Sequence, residues 1–141
     1  KIRTDSHDKT MSEQEAADSI HDVLRYTYQL QTASFADEFA RIRVELEKAG
    51  YTLVKVKNTL QSTGVTYRGV NCQFETPDDF KFELQFHTPE SLALKENELH
   101  KLYEEQRLPE TDPKRRAELV RRMIELSDGL STPPNIEEVR K

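Results

Sequence analysis

One segment of eight residues constrains the fold of this chain more than any other. From Phe80 to His87, apolar and polar residues alternate without a break. Successive side chains of a β-strand point to opposite faces, so the pattern predicts a strand with one apolar and one polar face. The apolar positions are Phe80, Phe82, Leu84 and Phe86, and the polar positions are Lys81, Glu83, Gln85 and His87. Because the polar row holds a carboxylate, an amide and an imidazole together, we interpret it as a row of site residues.

A second alternating segment, 70–75, lies just upstream. Its apolar positions are Val70, Cys72 and Phe74. The intervening residues 76–79 have a proline where β-turns favour one. The two segments are therefore predicted to form a hairpin whose apolar sides share one core.

Capping residues divide the rest of the chain into helices and strands. Ser12 and Glu15 form a capping box, and Gly50 is placed to end a helix in the left-handed conformation. Pro89 and Pro113 stand at first helical positions. The predicted helices are 12–20, 34–49, 88–106 and 112–128, and the predicted strands are 23–30, 51–57, 70–75 and 80–87. This order, β-α-β-β-β-α-α after a helical entry, predicts an α+β fold: a small mixed β-sheet of about four strands with helices packed mainly on one face.

Length and composition indicate a single domain over 1–141, with an entry segment (1–21), a core (22–106) and a C-terminal helix and tail (107–141). The chain begins at Lys1 rather than at methionine, and we expect it to be part of a longer polypeptide. The net charge of −5 argues against stable DNA binding. No apolar run approaches the roughly 18 residues of a membrane span, and the lone Cys72 excludes an internal disulfide.

The polar face of the predicted sheet has the residue types of phosphoryl or nucleotidyl transfer. If the first strand lies beside the hairpin, Asp22 and Glu83 approach each other and can share a magnesium ion, whose remaining ligands are waters and substrate phosphates. The residues that would meet phosphates or a base are Arg25, Lys55, Lys57 and Tyr67. Catalysis of this kind consists mostly of positioning and charge neutralisation.

Three segments resemble one known family. The sequence from Glu83 to Thr88, ELQFHT, resembles the Glu-x-Gln-x-(Arg/His)-Thr strand of the RelA/SpoT-type nucleotide pyrophosphokinases. Residues 67–71, YRGVN, are similar to the tyrosine-bearing loop that precedes this strand in the family. Residues 98–103, ELHKLY, are similar to the helix that follows it, and Asp22 stands where the family has its first metal-binding aspartate. The likeness is strongest to the diverged branch found in polymorphic toxins and phage head-associated proteins.

The resemblance implies a nucleotidyltransferase-like fold and a magnesium-dependent transfer of pyrophosphate from ATP to the ribose 3′-hydroxyl of a purine nucleotide or of tRNA. It implies that Asp22 and Glu83 hold magnesium and that Gln85 and His87 act beside them as catalytic residues. The implied substrate-binding residues are Arg25, Lys55, Lys57, Tyr67, Arg68, Asn71 and His100. Lys1 and Arg3 are interpreted as the end of the family's ATP-binding entry helix.

The resemblance also implies biological context. A toxin of this branch acts in the cytoplasm of a target bacterial cell, is delivered as part of a larger protein, and is neutralised by an immunity protein or antitoxin.

Two other functions remain open from the sequence. Glu83-x-Gln85 and Arg25 partly match an ADP-ribosyltransferase that uses NAD on RNA or protein, although no serine-rich strand of that class is present. The domain could also be a non-catalytic module that binds a nucleotide or a partner.

Overall fold

The computed structural model describes the backbone of residues 2–5 and the whole of residues 24–141. Asp22 and the predicted helix 12–20 lie outside the described residues. The strands are β1 (Ile2–Asp5), β2 (Arg25–Gln29), β3 (Thr52–Asn58), β4 (Val70–Glu75) and β5 (Lys81–His87). The helices are α1 (Phe35–Lys48), α2 (Pro89–Leu94), α3 (His100–Gln106) and α4 (Pro113–Asp128). A π-helical turn (Lys95–Leu99) joins α2 to α3, and short 3₁₀ turns lie at Thr32–Ser34 and Ile136–Glu138.

The strands form one mixed sheet in the order β1-β2-β5-β4-β3. β2 and β5 are parallel, and the other pairs are antiparallel. This arrangement confirms the predicted α+β class and the four predicted strands, and it adds β1 as a fifth.

The interpretation of Arg3 as part of an entry helix is wrong. Residues 2–5 form an edge strand antiparallel to β2, with Ile2 opposite Tyr28 and Asp5 opposite Arg25. The β-branched Ile2 and Thr4 suit an extended backbone, and pairing with β2 supplies hydrogen bonds that a four-residue helical remnant could not make. Lys1 lies outside the described residues.

The hairpin of β4 and β5 is confirmed, with Cys72 opposite Leu84 and Phe74 opposite Phe82. Phe80 departs from the prediction, because β5 begins one residue later and the Phe80 side chain is 56% exposed. The main chain of Phe80 closes the turn, since Thr76 N donates to Phe80 O at 2.8 Å. Asp79 has a φ of 69°, so the backbone reverses there and the alternation starts only after the turn.

Helix α1 covers the apolar face of the sheet. The Phe39 ring lies edge-on to Phe86 at 5.2 Å between centroids, and Phe74 stacks on Phe82 at 5.8 Å. Burial of Cys72 in this core raises its pKa to about 12. Fully burying each large apolar side chain contributes roughly 1.5–3 kcal/mol, so this layer fixes which face of every strand remains for polar residues.

Helix α2 begins at the end of β5. Thr88 Oγ1 accepts from Ser91 N, and Ser91 Oγ accepts from Thr88 N, each at 3.0 Å, which is a reciprocal capping box. Pro89 follows at the first helical position. The predicted helix 88–106 is therefore present but divided by the π-helical turn. No helix of the described part of the chain has the length and apolar character that crossing a membrane requires.

Candidate active site

The strand register aligns polar side chains in two rows across the sheet face opposite α1. In the first row, Arg25 lies opposite Glu83, Glu83 opposite Gln73, and Gln73 opposite Lys55. In the second row, the order is Thr27, Gln85, Asn71 and Lys57. Cross-strand partners share a face and neighbouring strands lie about 4.8 Å apart. Residues distant in sequence therefore form two continuous polar rows, although Thr27 and Gln85 of the second row are buried.

A groove of about 300 Å³ opens over these rows and is lined by Lys55, Lys57, Asn71, Cys72, Gln73 and Glu83. Lys55 and Lys57 are exposed, and neither forms an ion pair within residues 24–141. Two ammonium groups thus line the β3 side of the groove, while the Glu83 carboxylate lies on the β5 side. The structure brings together these predicted site residues.

Arg25 holds the Glu83 carboxylate. Its Nε donates to Glu83 Oε1 at 3.0 Å, and both side chains are partly exposed. Magnesium is held by one or two carboxylates together with substrate oxygens, and Glu83 with the amides of Asn71 and Gln73 offers that oxygen chemistry. Among the described residues, no group of three His, Cys, Asp or Glu side chains forms a metal site. The other predicted ligand, Asp22, lies outside them.

The end of the polar face next to α2 is covered rather than open. His87 is fully buried, its Nε2 lies 2.9 Å from Tyr67 Oη, and its Nδ1 lies 2.8 Å from Ser91 Oγ. Tyr67 Oη donates to Asn71 Oδ1 at 3.1 Å. Burial, and secondarily the charge of Lys95, lower the pKa of His87 to about 3, so the imidazole is neutral at pH 7.

Gly69 makes this covered end possible. A Cβ at Gly69 would lie 2.6 Å from Tyr67 Oη and 2.7 Å from His87 Cε1, which is closer than atoms pack. The glycine that follows Arg68 in the sequence therefore lets the tyrosine and the imidazole meet over the backbone.

The structure places His87 where it positions Tyr67 rather than where it faces an open groove. With Tyr67 donating to Asn71, a neutral His87 donates Nε2–H to Tyr67 Oη, and its Nδ1 accepts from Ser91. The ring of Tyr67 remains half-buried, and its hydroxyl is held at one edge of the groove by Asn71 and His87.

Arg68 lies in the interior, 4% exposed. Its guanidinium donates to Ser127 O at 3.0 Å and to Leu130 O at 2.9 Å. It also donates to Thr132 Oγ1 at 2.9 Å and to Leu60 O. This placement argues against the predicted contact of Arg68 with substrate, because its donors tie the loop before β4 to the end of α4. His100 is exposed on α3 and is not among the residues that line the groove.

Lys95 contacts the second polar row, which the sequence did not reveal. Gln85 is 5% exposed, and its Oε1 accepts from Lys95 Nζ at 2.9 Å. A lysine in a polar amphipathic helix normally faces solvent. The sequence did contain one signal for this contact. Lys95 follows Ser91 by four residues, so the two residues share a helix face.

Comparison with known proteins identifies the fold. Neither the protein-family models nor the curated proteins include a match to this sequence. Among solved structures, the type VI effector Tas1, determined in complex with its immunity protein, matches with a TM-score of 0.55 and 19% identity, over 91% of this chain and 80% of that one. The small alarmone synthetase 2 of Bacillus subtilis matches with a TM-score of 0.61 and 19% identity, over 91% and 73% of the two chains.

A third match is the small alarmone synthetase 1 of Bacillus subtilis bound to its product pppGpp, with a TM-score of 0.56 and 14% identity, over 89% of this chain and 72% of that one. These likenesses define the class of fold as that of the pyrophosphokinases and alarmone synthetases. Within that class, this chain has the RelA/SpoT-like fold, as its ELQFHT strand predicts.

Proposed function

We propose that this chain is a toxin-type pyrophosphokinase domain that transfers the β,γ-pyrophosphate of ATP to the ribose 3′-hydroxyl of a purine nucleotide or of tRNA. The observation that carries the proposal is the groove itself. On a RelA/SpoT-like fold, it sets the Glu83 carboxylate across from the exposed ammonium groups of Lys55 and Lys57. That combination suits a polyphosphate with a divalent cation.

In this mechanism Glu83, together with Asp22, would hold magnesium, which neutralises charge on the transferred phosphates when bound. Arg25 orients the Glu83 carboxylate through the 3.0 Å hydrogen bond from its Nε. Lys55 and Lys57 bind phosphate oxygens from β3. Such fixed positive charges act where negative charge develops in the transition state.

Tyr67 is the proposed binding residue for the acceptor base. Its hydroxyl is fixed by Asn71 and His87, so its half-buried ring has little rotational freedom left to lose on stacking. A ring ordered in advance binds an aromatic base at a lower entropic cost than a mobile one. We assign His87 and Asn71 to this positioning role.

The likeness to an effector crystallised with its immunity protein supports a protein partner of the same kind. An inhibitor that presents acidic residues to Lys55 and Lys57 would fit the charge of the groove. The same likeness supports delivery into a target bacterial cell, where the nucleotide substrates are found.

A transfer assay tests the reaction. The chain is incubated with magnesium, ATP and, in separate reactions, GDP, GTP, AMP, ADP or bulk tRNA, and the products are identified by mass spectrometry. We expect AMP to be released together with an acceptor that is heavier by one pyrophosphate. Absence of ATP turnover with every acceptor, combined with consumption of NAD in a parallel reaction, would instead indicate ADP-ribosyl transfer.

Glu83→Gln is the decisive variant, because it keeps the shape of the side chain and removes its charge. We expect the rate of transfer to fall at least about 100-fold, which corresponds to about 2.7 kcal/mol, with a melting temperature close to that of the wild type. Glu104→Gln, at an exposed position of α3, is the matched control and should transfer normally. Full activity of Glu83→Gln would exclude the metal-binding role.

A further inference from the structure

We propose that Lys95 binds the phosphates of the nucleotide donor from the helical side of the groove, opposite Lys55 and Lys57. This inference rests on the proposed function, since it assigns one more residue to the same site. Gln85, whose amide holds Lys95, is the residue that positions it.

The inference rests on the position of the Lys95 ammonium group. Its Nζ lies 2.9 Å from Gln85 Oε1, and Gln85 is the second-row neighbour of Asn71, which lines the groove. Gln85 follows Glu83 by two residues on β5, which is a separation of about 7 Å along the strand. A polyphosphate bound to a metal ion at Glu83 can span that distance.

The backbone fixes this place. The capping box of Thr88 and Ser91 joins α2 to the end of β5, and Ser91 Oγ also contacts His87. Lys95 lies one helical turn beyond Ser91 on the same face. The ammonium is therefore carried on an element anchored to the strand beneath it, rather than on a loop.

The helix is irregular at Lys95 itself. The π-helical turn begins there, and the N–H of His100 donates to the Lys95 carbonyl. Single π-helical turns insert an extra residue into a helix and occur frequently at functional sites.

Besides its position, the positive charge of Lys95 affects the neighbouring polar residues. It contributes to lowering the pKa of His87, so the ammonium is close to the covered end of the polar face. Cations on β3 and at the start of the π-helical turn then flank the rows from two sides. Bound phosphates would then be neutralised from the helical side as well as from the sheet.

Binding measurements on matched variants test this role without requiring turnover. The probes are inorganic pyrophosphate and an ATP analogue with a methylene group between its α- and β-phosphates, titrated by calorimetry in magnesium. For Lys95→Gln we expect the Kd for both probes to rise about tenfold, equivalent to about 1.4 kcal/mol. Lys95→Arg should restore most of the affinity, because it keeps the charge, and Lys101→Gln, exposed on α3, should bind as the wild type does.

The outcomes separate this inference from the proposed function. Equal affinities of the wild type and Lys95→Gln, or no binding by the wild type, would overturn the role of Lys95. If Lys95→Gln fails to fold, the test rests on Lys95→Arg. The inference then requires Lys95→Arg to bind both probes with a Kd within a few-fold of the wild-type value, and a larger loss of affinity would overturn it. Loss of affinity in Lys95→Gln without any transfer by the wild type would retain the phosphate site and refute the pyrophosphokinase proposal. Normal transfer with an unchanged KM for ATP in Lys95→Gln would refute only the inference.

Discussion

The polar face of the sheet has two ends that differ in what covers them. At the covered end, His87 and Arg68 are almost wholly buried and hydrogen-bonded, under α2 and against the end of α4. At the open end, Lys55 and Lys57 are exposed, and the Glu83 carboxylate lies at the groove and accepts a hydrogen bond from Arg25. β5 contributes to both ends, with His87 at the covered end and Glu83 at the open end.

The difference follows from where each end lies. Burying a polar group without a hydrogen-bond partner costs several kcal/mol, so the residues that α2 and α4 cover take their partners within the protein. Among the described residues, Arg68 Nε is the exception, since it is buried without a partner. Solvent and ligands can satisfy the residues of the groove. The covered end therefore stabilises the fold and holds the Tyr67 hydroxyl, while the open end remains accessible to solvent and ligands.

Among the tests of this contrast, the largest expected effect is the loss of stability when a residue of the covered end is replaced. Arg68→Met should lower the free energy of unfolding by about 3 kcal/mol, because several buried acceptors, including the carbonyls of Ser127 and Leu130, lose their donor. Urea denaturation measures the change. The control Arg121→Met, at an exposed position of α4, should stay within about 0.5 kcal/mol of the wild type. If Arg68→Met and Arg121→Met lowered the free energy of unfolding equally, the covered end would not have the stabilising role assigned to it.

The next effect is a pH dependence that comes from His87. Its folded pKa is about 3, below the unfolded value of about 6.5, so the unfolded chain binds the extra proton first. The contribution of the neutral imidazole to stability is complete above pH 6.5 and is lost as the pH falls toward 3, at up to about 1.4 kcal/mol per pH unit.

His87→Gln lacks this titration while keeping an amide donor and acceptor. The stability difference between the wild type and His87→Gln should therefore shrink as the pH falls from 7 to 4.5, as followed by urea midpoints. The carboxylates titrate in both proteins and cancel in the difference. Parallel pH profiles would show that the imidazole is not buried in its neutral form.

The smallest expected effect on stability lies at the open end. Lys57→Gln should change the free energy of unfolding by less than about 0.5 kcal/mol, because the lysine is exposed and makes no ion pair within the described residues. It should nevertheless weaken binding of the ATP analogue about threefold to tenfold, and added salt should diminish that difference. A destabilisation as large as that of Arg68→Met would mean that the groove is part of the folded interior.

Local signals in the sequence predicted much of the fold. Alternation predicted the hairpin of β4 and β5, and Gly50, with a φ of 96°, has the predicted left-handed conformation after α1. Two errors arose where a local rule was applied too far. Phe80 continued the alternation across a turn, and the short β1 carries too little pattern to identify without its partner β2.

The sequence was less informative about what covers the site. The alternation of side chains along β5 assigns His87 and Glu83 to one face of the sheet. It cannot predict that α2 covers His87 and leaves Glu83 open. Arg68 lies among polar loop residues, and only its tertiary partners show that it is buried. Predicting that Lys95 contacts the sheet requires knowing how α2 lies against β5, and that arrangement depends on the whole chain.

The pairing of Arg25 with Glu83 joins residues that are 58 positions apart in sequence. Because β2 and β5 are parallel neighbours, α1, β3 and β4 must be synthesised between them before the pair can form. Contacts of such high sequence separation are late and slow events in folding. A nascent chain therefore lacks the pair of Arg25 and Glu83, and the candidate site is complete only after β5 has joined β2.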